Sequence, residues 1–140
     1  MNGFLLDTNI PSELTKPRPE PRVVRWLELA NENEIFISVV TLGEIRKGCA
    51  LLDPGKRRTT LEQWLENDIR NWFANRILPV DDAIAECWGR LDAKRQQLGK
   101  PLNTADGLIA ATAIEHELTV VTHNVEDFDS LDVSIVNPWV

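Results

Sequence analysis

Short apolar runs and longer segments of helical period alternate along this 140-residue chain. Residues 3–7 (GFLLD) are apolar and end in an acid, the pattern of a buried parallel strand. Runs of the same kind recur at 34–40 (EIFISVV), 76–80 (RILPV), 118–122 (LTVVT) and 133–136. Pro79 places the third run near a sheet edge or a strand end, since proline cannot donate to a ladder. Between the runs the apolar residues repeat every three or four positions. Val23, Val24, Trp26, Leu27 and Ala30 share a stripe in 22–30, and Leu42, Ile45, Cys49 and Leu52 share one in 41–52. Leu61, Trp64, Leu65, Ile69, Trp72 and Phe73 mark a helix over 56–75, and Ile84, Trp88, Leu91 and Leu98 mark another over 82–98. An alanine-rich helix spans 104–117, and a short one starts at Asn9 with Pro11 in its first turn. The prolines at 17, 19 and 21 make a connector, Asp53-Pro54-Gly55 is a turn, and Gly99-Lys100-Pro101 stops a helix. Strands alternating with helices predict an α/β fold with a parallel, or mostly parallel, five-stranded sheet. The length predicts one domain, 1–140. The two long helices between 56 and 98 are expected to form an arm on one side.

That order of elements gives three acids a common address. Asp7 ends the first strand, Glu44 opens the helix after the second, and Asp106 opens the helix that feeds the fourth. Crossover helices start at the carboxyl edge of a parallel sheet, so all three project from one edge, where open α/β sheets keep their sites. Each acid also has a local use. Thr41-Leu-Gly-Glu44 and Asn103-Thr-Ala-Asp106 have the form of capping boxes, with Thr41 and Asn103 as N-caps, and Asp7 could cap the helix behind it. Capping needs no convergence on one edge, however, and a carboxylate can both cap and ligate. Three carboxylates in one pocket repel by roughly 4 kcal/mol per pair at about 4 Å in an effective dielectric near 20. Such a pocket needs protons or a cation, and hard oxygen donors favour Mg²⁺ or Mn²⁺. Thr122-His123-Asn124 leaves the fourth strand at the same edge. Asn124 offers a carbonyl or a hydrogen bond to a metal-bound water, Thr122 a hydroxyl, and Asp127 and Asp129 more charge. Asp81 and Asp82 also follow a strand there, but read as N-terminal charges on the next helix.

Composition narrows the partners. A net charge of −7 argues against broad, non-specific nucleic-acid binding while leaving room for a local basic patch and for a basic protein partner. Arg46 and Lys47 follow Glu44 on its helix, and Lys56, Arg57 and Arg58 are the compact basic run; each is either a phosphate contact or a solvated helix face. Lys94, Arg95 and Lys100 read as solvated surface. The tryptophans at 26, 64, 72, 88 and 139 read as core packing, with no aromatic-and-basic interleaving to suggest a base-stacking platform. Cys49 and Cys87 read as buried thiols, and His116 and His123 are not spaced to complete a zinc site with them. His123 is expected to be exposed beside the acids. Residues 1–7 carry no secretory leader, and no apolar run reaches the roughly 18 residues of a membrane span, so the expected location is the cytoplasm, away from membranes. A phosphohydrolase acting on small molecules or DNA is weakened by the lack of a glycine-rich phosphate loop. A phosphoaspartyl or receiver domain is weakened because no second acid follows Asp7 two residues on and no lysine closes a later strand.

The runs FLLDTNIPSEL, SVVTLGEIRKG and NTADGLIAATAIEHELTVVTHNVEDF, with the closing V-x-I-V-N-P-W, resemble PIN-domain proteins, and more narrowly the VapC/FitB-type toxins of bacterial toxin–antitoxin pairs. The resemblance covers nearly the whole chain. It implies a three-layer α/β/α sandwich around the parallel sheet and a Mg²⁺- or Mn²⁺-dependent endoribonuclease. The family's first acid falls on Asp7 within LLDTN, its helix glutamate on Glu44 within GEIRKG, and its third acid on Asp106 within ADGLIAA. Its fourth position, an aspartate in many members, falls on Asn124, which leaves open whether Asp127 substitutes and whether one or two ions bind. The implied roles are a divalent ion on Asp7 and Asp106, Glu44 ligating or activating water, Thr122 and Asn124 orienting water, and RNA contacts from Arg46, Lys47, Arg57 and Arg58. The implied partners are an RNA substrate, a second copy of the chain or a higher oligomer, and a cognate antitoxin. A segment of the antitoxin would cross the helical face and push an Arg or Lys into the acids. Asn124 favours one alternative: a catalytically silent module that binds a DNA-binding antitoxin and serves in autorepression.

Overall fold

The computed structural model describes residues 3–140; Met1 and Asn2, the start of the stretch read as lacking a leader, lie outside the described residues. Five strands form one sheet: β1 Phe4–Leu6, β2 Ile35–Ser38, β3 Ile77–Leu78, β4 Thr119–Val121 and β5 Ile135–Val136. Their order is β3-β2-β1-β4-β5 and every pairing is parallel. The edge strands β3 and β5 are two residues long, each followed by proline within two positions, so the sheet offers little free edge to another chain.

Strand alternation sorts the side chains into two cores. The register sets Phe4 beside Ile35 and Leu6 beside Val121, facing one way, and Leu5 beside Val120, facing the other. On the first face Leu6, Ile35, Ile37 and Val121 pack under Ile10, Val23, Ile45, Cys49, Leu65, Ile69 and Phe73. These come from α1 Asn9–Glu13, α2 Pro21–Leu29, α3 Val39–Ala50 and the helical run 56–72 with Phe73 at its C-cap. On the second face Leu5 and Val120 pack under Ile109, Ala110 and Ala113 of α7 Thr104–Glu115 and Phe128 of α8 Val125–Phe128. The helix α6 Asp82–Gln97 packs on the outside of α7 through Ile84, Cys87 and Ala111. The result is an α/β/α sandwich. The long helices between 56 and 98 lie on opposite faces of the sheet rather than forming an arm on one side, because their apolar stripes belong to different cores.

Three local readings are corrected. The segment 56–75 is not one regular α-helix: α4 Lys56–Gln63 runs into a π-helical stretch, Trp64–Ile69, before α5 Arg70–Trp72. This π stretch buries both Leu65 and Ile69. The helix after β2 starts at Val39, two residues early, because Ser38 caps it, its hydroxyl accepting the Val40 N–H at 3.0 Å. Arg95, read as surface, is buried at 7% exposure. Its guanidinium donates to the carbonyls of Lys100, Asp127 and Asp129 at 2.9, 3.3 and 3.3 Å, tying the end of α6 to the far end of α8. The thiols of Cys49 and Cys87 are buried and free, as expected. Among the described residues no helix is long and apolar enough to cross a membrane.

Candidate functional site: an acid cluster at the carboxyl edge of the sheet

Asp7 follows β1 at the centre of the sheet, where the Asp7 N–H still bonds to Val121 at 2.9 Å. It is buried at 3% exposure. Burial pushes its carboxyl above the usual carboxylate range. Hydrogen bonds from the Thr122 hydroxyl (2.8 Å) and the Thr8 N–H (2.8 Å) oppose that push, and the charges of Glu44 and Asp127 add to it. The Asn9 amide also donates to Asp7 (3.2 Å) and to the Thr122 hydroxyl (3.4 Å). Two chain segments 115 residues apart are thereby locked through one carboxylate.

Glu44 is brought in by the residue beside Asp7. The Thr8 hydroxyl donates to Glu44 at 2.5 Å and lies 3.2 Å from the Thr41 hydroxyl. Thr8 is the N-cap of α1, yet its side chain caps nothing. The third helical position is Pro11, which has no N–H to offer, and the Ile10 N–H bonds to the Asp7 carbonyl instead. The hydroxyl is therefore free for Glu44. The expected Thr41–Glu44 capping box does not form: Thr41 is buried inside α3, and Glu44 stands a turn further along. The Asn103 cap does form, accepting the N–H groups of Ala105 and Asp106 at 2.9 and 3.3 Å, which fixes Asp106 in the first turn of α7. Gly107 keeps that turn close to α6, since a Cβ there would stand 2.7 Å from Trp88 Cδ1.

Asp106 is half-buried, and no hydrogen bond reaches its carboxylate among the described residues. Its pKa is raised to about 7, first by burial and then by the charges of Asp7, Asp127 and Glu44. All three predicted acids thus act on one another, and Asp127 joins them as a fourth. Asn124 is exposed; its backbone N–H donates to the Thr122 hydroxyl at 2.9 Å, while its carboxamide has no hydrogen bond among the described residues. His123 is exposed beside the cluster, as expected. The donor set is oxygen throughout and electrostatically unbalanced, which suits a hard divalent cation. Among the described residues no three His, Cys, Asp or Glu side chains are placed to hold a metal ion by themselves. The fit is therefore to an ion that keeps several waters and takes one or two carboxylates, as Mg²⁺ does.

The basic residues divide. Arg46 pairs with Glu66 at 2.9 Å and Glu62 at 3.7 Å. Arg58 pairs with Glu62 at 3.5 Å and donates to the Leu52 carbonyl at 3.3 Å. Both are engaged in holding α3 to α4. Lys47, Lys56 and Arg57 are exposed and form no ion pair among the described residues. Arg57 stands on the wall of a cleft of about 220 Å³ that also holds Glu44, Ser12, Leu61 and Trp64. Sequence reasoning missed Thr8 and Asn9 as parts of the site. The signal was present: two hydrogen-bonding side chains directly after a strand-end acid, with a proline removing the N–H that the first would otherwise cap.

Residues 4–133 match the PIN domain family. The chain is 42% identical over 136 residues to Toxin FitB of Neisseria gonorrhoeae, covering 97% of this chain and 98% of that one. It is 36% identical to VapC ribonuclease Y4jK of Sinorhizobium fredii, covering 97% of each. Among solved structures, FitAcB from Neisseria gonorrhoeae superposes with a TM-score of 0.90 at 42% identity, covering 97% of this chain and 98% of that one. With the same fold and near full-length likeness to FitB and VapC proteins, the chain belongs to the PIN-domain family.

Proposed function

We propose that this protein is a divalent-metal-dependent endoribonuclease acting as the toxin of a toxin–antitoxin pair in the cytoplasm. The observation that carries the reading is the convergence of Asp7, Glu44, Asp106 and Asp127 on one sheet edge, where burial first, and then the charges of the other three, raise Asp106 to about 7. Likeness to proteins named toxin and ribonuclease supports it. Asp7 and Asp106 would hold Mg²⁺ or Mn²⁺. When bound, the ion supplies Lewis-acid activation of water and neutralises charge building on the phosphodiester. Asp7 is held immobile, because Thr8, Asn9 and Thr122 hold its oxygens, and the Thr8 and Thr122 bonds offset part of the upward push of burial on its carboxyl. Glu44, kept in place by Thr8, accepts the proton of the attacking water. Thr122 orients Asp7, and Asn124, with its carboxamide free at the rim, holds water beside it. Asp127 supplies the fourth charge. Lys47, Lys56 and Arg57 contact RNA phosphates; Arg46 and Arg58 contribute through α3 and α4 rather than through free charge. The cleft from Trp64 and Leu61 to Glu44 receives a segment of a cognate antitoxin, whose basic side chain would compensate the acids, and the toxin works as a homodimer or a higher oligomer with it.

The test is cleavage of a mixed cellular RNA pool, tRNA included, by protein freed of its partner, in Mg²⁺ or Mn²⁺ against EDTA. Metal-dependent cutting lost in Asp7→Asn and Asp106→Asn is expected. Asn124 in place of the family's aspartate favours a second reading, a silent module that binds a DNA-binding antitoxin for autorepression. Uncut RNA together with no Mn²⁺ binding by calorimetry would decide for that module.

A further inference from the structure

Next to the acid cluster, and sharing Asn124 and Asp127 with it, the chain folds a cavity of about 310 Å³, at the lower end of the roughly 300–1,000 Å³ of small-ligand sites. His123, Asn124, Glu126, Asp127 and Asn137 stand around it. One of these walls is built as a platform. The imidazole of His123 lies on the indole of Trp139 with centroids 4.3 Å apart and planes 16° from parallel. Trp139 in turn packs on the core of the first face, so the imidazole is backed by a fixed surface while His123 itself stays exposed. The His123 backbone N–H donates to the Asn9 side-chain oxygen at 3.3 Å, and Asn9 holds Asp7. The platform is therefore joined to the acid cluster through one residue.

The other walls offer unused polar groups. Among the described residues the Glu126 carboxylate and the Asn124 carboxamide have no hydrogen bond or ion pair. The Asn137 side-chain oxygen accepts the Trp139 backbone N–H at 3.0 Å, which leaves its amide N–H groups to donate. Among the described residues no lysine or arginine lines the cavity, and Glu126 and Asp127 repel a phosphate from it. A flat uncharged base suits it, since bases are read by stacking on aromatic faces and by hydrogen bonds to their Watson–Crick edge. Guanine is the base whose edge presents two adjacent N–H donors, and the two oxygens of one carboxylate accept both. Adenine and cytosine present an acceptor beside their donor, and uracil a single N–H between two acceptors.

We propose that the His123–Trp139 stack and the cavity beside Asp127 form a base subsite that takes a guanine flanking the cut phosphodiester, with Glu126 reading its edge. The proposal rests on the RNA-cleaving reading of the neighbouring acids. It gives His123 and Glu126 a role in specificity and none in the chemical step.

The test has two arms. In the first, short RNAs differing in one base on either side of the cut are compared with protein freed of its partner. Guanine at one flanking position is expected to raise kcat/KM by about 10-fold, and Glu126→Gln to remove most of that preference while the other bases are cut as before. His123→Ala should raise KM about 10-fold for every base with kcat little changed, and His123→Phe should restore it by restoring the stack. Cleavage without base preference, or a preference unmoved by both Glu126→Gln and His123→Ala, overturns the subsite while leaving the nuclease standing. The second arm needs no catalysis. In EDTA, guanosine 5′-monophosphate should shift the Trp139 indole N–H resonance saturably, uridine 5′-monophosphate should not, and His123→Ala should abolish the shift. If no RNA is cut, the nuclease reading fails and this titration alone decides the subsite: a saturable shift keeps it, and no shift overturns it.

Discussion

Asp7 and Asp106 face the same site and share the same neighbours, and burial raises both, yet the fold gives hydrogen-bond donors to only one of them. Asp7 is the more deeply buried, and its burial is answered by the Thr122 hydroxyl, the Thr8 N–H and the Asn9 amide. Asp106 is only half-buried, but among the described residues nothing donates to it, and its pKa rises to about 7. Burial raises both, and the donors at Asp7 oppose that rise where Asp106 has nothing to oppose it. Asp7 is a preset anchor. Asp106 is the group that a cation would relieve, so the two should respond differently when either is neutralised.

The largest effect expected is on catalysis. Asp7→Asn should lower kcat by roughly 10²–10³-fold, about 3–4 kcal/mol of transition-state stabilisation. Its check is steady-state cleavage on protein whose thermal unfolding has been confirmed to be intact. Next is Arg95→Met, which leaves the carbonyls of Lys100, Asp127 and Asp129 without their donor. A loss of about 3 kcal/mol is expected in urea unfolding, with faster amide exchange across α8. That would loosen Asp127 and so reduce one of the charges that raise both Asp7 and Asp106.

Asp106→Asn sharpens the comparison through pH. In the unfolded chain this carboxyl titrates near 3.8 and in the folded protein near 7. Below the lower value it is protonated in both states and costs nothing. Between the two values the unfolded chain ionises first, so metal-free wild type loses stability as pH rises and levels off above the folded value. Asp106→Asn has no such loss. It should exceed wild type by about 2 kcal/mol at alkaline pH and converge with it in acid, roughly half of what the full shift would carry because the carboxyl is only half-buried. Unfolding curves in EDTA across that range check this, and a pH-independent difference between the two proteins would refute it. Saturating Mg²⁺ should restore wild type and leave the variant unmoved. The smallest effect is Thr8→Val, which removes the hydroxyl that fixes Glu44. About 1 kcal/mol of stability is expected to go, with kcat falling while KM holds, read from the same cleavage assay.

Local pattern carried much of this architecture. The strand runs 3–7 and 118–122 pair directly in the centre of the sheet, and Pro79 marks an edge strand as expected. Asn103 caps α7 where the asparagine and the acid three residues on said it would. Thr41-Leu-Gly-Glu44 had the same form and failed, because Ser38 one turn earlier offers a cap at the strand's own end and the core claims Thr41. Arg95 looked like surface because its neighbours in sequence are polar, and α8, which it holds, lies 32 residues away.

The sequence by itself determined the alternation of strand and helix, and therefore that Asp7, Glu44 and Asp106 would meet at one edge of a parallel sheet, since crossover topology leaves no other place for them. Only the tertiary structure decided which acid is given donors and which is left to be relieved. Donors such as Thr122 reach Asp7 across 115 positions of the chain, and no local pattern encodes them. It also stacked His123 on Trp139, turning two aromatic residues without a shared local motif into one surface. Desolvation and stacking depend on what closes over a group in space, and that is set by packing rather than by period.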